Sequence, residues 1–175
     1  MSFNRLQKIK EKASILNIIL NRSISHYHRI KQILQYPLIT TSSLLVVLNS
    51  YYEDDEDKLK LINVILNGTN VVIMSLLNNI NVSVKMENFN SKVQELIEII
   101  HTIDNSLFNN DYSKTEDLIE KFDLICKGVI IDAIPSYIKN KVRKEYPYVS
   151  FPLILGGNIS PPASEASEVY VVEEH

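Results

Sequence analysis

Residues 61–84 read LINVILNGTNVVIMSLLNNINVSV, 24 positions without a charged side chain between Lys60 and Lys85. About twenty such residues in a helix cross the hydrocarbon core of a bilayer. The stretch 32–52, QILQYPLITTSSLLVVLNSYY, is of similar length and equally free of charge. Its Thr40, Thr41, Ser42 and Ser43 do not forbid a spanning helix, because hydroxyls bond back to the preceding turn. Tyr36 at one end and Tyr51 and Tyr52 at the other suit the two interfaces of a membrane. Between the stretches stand Glu53, Asp54, Asp55, Glu56 and Asp57, acids that must be solvated. The pattern predicts a two-helix hydrophobic, transmembrane hairpin over 32–84 with an acidic tip at 53–57.

Outward from the hairpin the chain changes character. Residues 1–31 carry Arg5, Lys8, Lys10, Lys12, Arg22, Arg29 and Lys31 against one acid, Glu11, with Leu6, Ile9, Ala13, Leu16 and Leu20 at helical spacing. This reads as a basic amphipathic helix, and it lacks the h-region and cleavage site of a secretory signal. Residues 85–146 read as soluble helices. Phe89, Val93, Leu96, Ile97, Ile100 and Ile103 form one apolar stripe. A turn is expected at Asn109-Asn110-Asp111. Ser113-x-x-Glu116 has the form of a capping box opening a helix that buries Leu118, Ile119, Phe122, Ile125 and Val129. Pro135 suits the first turn of a last helix. Residues 147–175 are rich in Pro, Gly and Ser and read as an extended or disordered tail. The fold class expected is therefore all-α. Lys and Arg are richer on the side of both chain ends than in the tip, which places both termini on the cytoplasmic side of a membrane.

Composition narrows the function. The chain has 175 residues, 45% hydrophobic and 22% charged, with a formal net charge of −3. Its mean hydropathy of −0.02 is too low for a multi-span transporter. Near-neutral charge argues against specific nucleic-acid binding. A single cysteine, Cys126, forms neither an internal disulfide nor a cysteine-rich zinc site. No Walker loop, dinucleotide fingerprint or HExxH motif occurs, so no cofactor and no enzymatic activity are expected. Four N-x-S/T sequons, at Asn21, Asn67, Asn81 and Asn158, are chance matches in an asparagine-rich chain.

The remaining candidates carry little catalytic chemistry. At 100° per residue Asn63, Asn67, Asn70, Asn78 and Asn81 fall on one narrow face, with Ile65, Val72, Ile73, Leu76 and Ile80 opposite. That stripe has three readings: interhelical hydrogen bonding, the lining of a pore in a homo-oligomer, or the solvent face of a soluble bundle. His26 and His28 point to different faces and, with His101, make a poor metal set. Cys126 reads as a packed thiol. Glu116, Asp117, Glu120 and Asp123 complement a helix dipole on a solvated face. Lys139, Lys141, Arg143 and Lys144, near Tyr137 and Tyr146, read by default as a solvated face, with anionic headgroups or nucleic acid as candidate contacts and headgroups the better of the two if the hairpin is inserted. Val169, Tyr170, Val171 and Val172 suit addition to the edge of a partner's sheet.

His26-Tyr27-His28-Arg29 in the basic helix, the hydrophobic hairpin and the entry Lys85-Met86-Glu87 into a long helix resemble the SLATT two-transmembrane superfamily. The closer likeness is to its branch in large nucleocytoplasmic DNA viruses, which the segment Ile134-Pro135-Ser136-Tyr137-Ile138-Lys139-Asn140-Lys141-Val142-Arg143-Lys144 also resembles. The likeness spans roughly residues 10–146 and implies no catalytic residues. For the viral branch it implies a virion structural protein that anchors an internal membrane to the capsid shell, with lipid bilayer and capsid or other membrane proteins as partners. For the cellular members it implies a pore-forming effector of nucleotide-signalled defence. A soluble helical interaction module is the alternative without a membrane.

Overall fold

The computed structural model describes residues 2–51 and 56–156, and all regular structure among them is helical. The elements are α1 (Ser2–Tyr51), α2 (Glu56–Ile80), α3 (Val82–Phe108), α4 (Thr115–Gly128) and α5 (Ser136–Glu145). Short 3₁₀ turns follow at Ile131–Ala133 and Leu153–Leu155. The acids Glu53, Asp54 and Asp55 of the expected tip, and the tail from 157 onward with Val169–Val172, lie outside the described residues.

The basic segment and the first uncharged stretch form one helix. α1 has 50 residues, no glycine and a single internal proline, Pro37, and at 1.5 Å per residue it is about 75 Å long. Its inward positions alternate in steps of three and four: Leu6, Ile9, Ala13, Leu16, Leu20, Ser23, Tyr27, Ile30, Leu34. That spacing keeps a stripe facing an antiparallel neighbour. A second step of four, from Leu34 to Leu38, then shifts the stripe onto Thr41, Leu45 and Leu48. Pro37, which the unshifted repeat would have placed inside, faces out, and the missing N–H leaves the Ile33 carbonyl without its helical donor.

The return strand of the hairpin is α2 followed by α3. They are separated by Asn81, whose φ of 51° and ψ of 41° put it in the left-handed region. Asparagine tolerates that conformation better than other non-glycine residues. Here the second uncharged stretch is interrupted, three residues before Val84. α1 lies antiparallel to α3 over its first half, as the Lys10–Asp104 ion pair (2.5 Å) and the Tyr27–Phe89 ring contact (6.2 Å) show. Over its second half it lies against α2.

The core occupies one end only. Every buried apolar side chain among the described residues belongs to 6–27 of α1 or to residues from Val82 onward. Leu6, Leu16, Leu20, Phe89, Leu96, Ile103 and Val142 have no solvent exposure. α4 covers this base with Leu118, Phe122, Ile125 and Cys126, and α5 with Ile138 and Val142. The link between them is held by Asn88, whose Nδ2 donates to the Gly128 carbonyl (3.0 Å) while its Oδ1 accepts from the Ile130 N–H (3.3 Å). The Tyr27 hydroxyl donates to the Ala133 carbonyl at 2.7 Å, fixing the same link to α1.

The expected capping box at Ser113 does not form. α4 starts at Thr115, and the Ser113 hydroxyl and N–H both donate to Asp111 Oδ1 (2.7 and 3.0 Å). A carboxylate two residues upstream outcompetes the helix N-terminus for that hydroxyl, and the paired hydrogen bonds hold the Asp111 carboxyl below its ordinary range. Glu116, freed from the box, pairs with Arg5 at 2.6 Å.

Candidate functional site

Above the base, α1 and α2 stand as a bare pair. The inward row of α2 is Asn63, Leu66, Asn70, Ile73, Leu77 and Ile80, each half-buried against Leu34, Leu38, Thr41, Leu45 and Leu48 of α1. Around this seam the pair is apolar on its outer surface. Ile33, Val46 and Val64 are 67–69% exposed, and Ile39, Leu61, Val71 and Val72 nearly as much. The most apolar 18-residue window of each of the two long helical stretches is buried nowhere within the chain. Two helices are thus long and apolar enough to cross a membrane. Soluble monomers rarely leave so extended an apolar face uncovered.

Two asparagines of α2 bond across the seam, although Asn63 Oδ1 is buried there without a partner. Asn63 Nδ2 donates to Asn49 Oδ1 at 2.9 Å. Asn70 Nδ2 donates to Ser42 Oγ at 3.3 Å, and its Oδ1 accepts from the Thr41 hydroxyl. Asn67, Asn78 and Asn81 are exposed, whereas Ile73 and Ile80, expected on the opposite face, lie in the seam. The reason is the repeat: packed helices follow 3.5 residues per turn, so a face drawn at 3.6 drifts about 20° per heptad. The asparagine stripe is thereby divided, with Asn63 and Asn70 inside and the other three outside. The partners Asn49, Thr41 and Ser42 were not visible as such in the sequence, although the seven-residue spacing of Ser42 and Asn49 matches that of Asn63 and Asn70.

The charged candidates are all at the base. Lys141 and Lys144 are exposed and Lys139 is half-buried. Arg143 is turned inward. Its guanidinium donates to the Leu155 carbonyl and lies 5.5 Å over the Phe151 ring, so it holds the 151–155 segment against α5. Asp117, Glu120 and Asp123 are exposed on α4. No group of three or more His, Cys, Asp or Glu among the described residues is placed to hold a metal ion. His26 shares a 2.9 Å hydrogen bond between Nδ1 and the Tyr137 hydroxyl, while His28 and His101 are exposed.

Two chemical expectations follow. Burial, helped by Asp123 and opposed by Lys12, pushes the Cys126 thiol up to about 12. A maleimide at neutral pH should therefore leave folded protein unlabelled and label it rapidly in denaturant, as mass spectrometry would show. Rapid labelling of the folded chain would contradict the packing of α4. The second concerns acid. Arg22, by its 2.6 Å hydrogen bond and its charge, holds the Glu145 carboxyl below its ordinary range. A depressed carboxyl adds stability above the unfolded carboxylate value, about 4.3, and loses it as pH falls through the folded one. Glu145→Gln should remove that increment at neutral pH, a small one because the pair is partly exposed, and leave stability below the folded carboxyl value unchanged, so the acid limb of a stability–pH curve becomes shallower.

No family model, curated protein or solved structure matches the chain.

Proposed function

We propose that this chain is a non-enzymatic membrane protein whose hairpin, residues 32–84, spans a bilayer while the base stays on the side of both termini. One observation carries the reading: from residue 28 to 81 no described apolar side chain is buried, although this is the most apolar part of the chain. In water that surface would be strongly unfavourable at about 25 cal/mol per Å², and in hydrocarbon it is solvated. The uncharged part of α2, residues 61–80, is about 30 Å long, matching the 30 Å core. Arg29, Lys31 and Lys85 stand where the hairpin leaves the base, in keeping with a cytoplasmic or capsid-facing base.

The task that fits this layout is anchoring. The base presents helices and a tail to protein partners while the hairpin holds lipid. The likeness to the viral SLATT branch supports a virion internal membrane and its capsid shell as the two things joined. Asn67 and Asn78, exposed on α2, favour a second reading in which several hairpins associate and form a pore. Alkaline carbonate extraction tests the membrane step: the protein should stay in the pellet and be released only by detergent. Recovery in the soluble fraction would return the chain to a soluble helical module. Liposome conductance separates the two membrane readings, since an anchor gives none.

A further inference from the structure

On α1, Arg22, His26 and Arg29 fall at i, i+4 and i+7 and share one face. On α5, Tyr137 and Lys141 are four residues apart and share the face opposite. The two faces flank an open cleft of about 480 Å³ whose charged lining is Arg22, Arg29 and Lys141, with no acid among its lining residues. Glu145 lies beside it and takes only Arg22 Nη2. Arg22 Nη1 is buried and has no hydrogen-bond partner. That nitrogen is closed to solvent, and Asn21, Ser25, His26 and Tyr137 complete the polar lining, so an anion in the cleft meets three cations and neutral polar groups.

We propose that this cleft binds a phosphate group, with the Arg29 guanidinium donating to its oxygens and the charges of Lys141 and Arg22 adding attraction. Tyr137, locked to His26 by their 2.9 Å hydrogen bond, forms the wall and fixes the spacing between the helices. A phosphate matches this set because guanidinium forks and an ammonium complement its several acceptor oxygens. Arg29 lies four residues before Ile33, about 6 Å along the helix from the start of the apolar surface. That is within the headgroup layer, roughly 5–7 Å deep on each side of the hydrocarbon. The phosphate of an acidic phospholipid therefore reaches the upper end of the cleft, and a free phosphate reaches it from the aqueous side. The lipid source rests on the membrane reading; the cleft itself does not.

The test uses the full chain. In zwitterionic detergent micelles it is titrated with inorganic phosphate, and in phosphatidylcholine nanodiscs it is compared with and without phosphatidic acid. Arg29→Gln and Lys141→Gln, both exposed, should each weaken saturable binding about fivefold or more. Lys144→Gln, the same charge change outside the cleft, should leave binding within about twofold by the same measure. Binding of inorganic phosphate without preference for phosphatidic acid identifies the free ion as ligand, and the reverse identifies the lipid. Equal losses in all three variants, or no saturable binding of either probe, overturn the site. Carbonate extraction reads insertion alone and the inorganic-phosphate titration reads the cleft alone, so the two failures are told apart.

Discussion

Val72→Arg is expected to lower the ratio of inserted to uninserted protein by roughly 100-fold, from an insertion penalty of about 2.5–3.5 kcal/mol for Arg at a helix centre. Val72 stands at the middle of the second uncharged stretch, 59% exposed and outside the inward row. It touches nothing that the base needs. In a soluble bundle the same substitution would be a surface change worth no more than about 0.5 kcal/mol, and would improve solubility. The two readings therefore predict opposite results from one variant. The fraction resistant to carbonate, compared with wild type, measures it, and an unchanged fraction would remove the spanning reading of α2.

Phe89→Ala acts on the other half. Phe89 is fully buried where α1 and α3 meet, 6.2 Å from the Tyr27 ring, directly above the link that Asn88 and Tyr27 fix. Removing a buried phenyl group costs about 3–5 kcal/mol, a large share of the 5–15 kcal/mol that holds a domain together. Denaturant unfolding in detergent, followed by the fluorescence or near-ultraviolet signal of the base tyrosines, should show the midpoint falling sharply. Carbonate resistance should be unaffected, because no surface of the hairpin is altered. A loss of insertion in this variant would mean that the base and hairpin form one cooperative unit.

Part of this was legible from composition alone. Uncharged runs at 32–52 and 61–84 are read directly, since a charge is the costliest group to place in such a surface. The helical class followed from periodicity, and the described residues contain helix and no strand. What escaped reading depends on neighbours. The change from basic to uncharged sequence at residue 31 leaves the backbone indifferent, so α1 runs through it. Asn81 differs from Asn78 and Asn79 only in where the helix pair demands a step. The inward turn of Arg143 depends on a carbonyl twelve residues away, and the arginine–lysine cleft on two helices more than a hundred residues apart. None of these distances is encoded in local spacing.

The contrast between an unbroken α1 and an α2–α3 strand interrupted at Asn81 makes the molecule mechanically lopsided. One side is a continuous helix whose ladder lacks one hydrogen bond, at the Ile33 carbonyl facing Pro37. The other gives at a single residue, whose left-handed backbone is the only departure from helix along that side from residue 56 to 108. Were the chain the proposed tether, this asymmetry would make it stiffer along α1 than along the side that steps at Asn81.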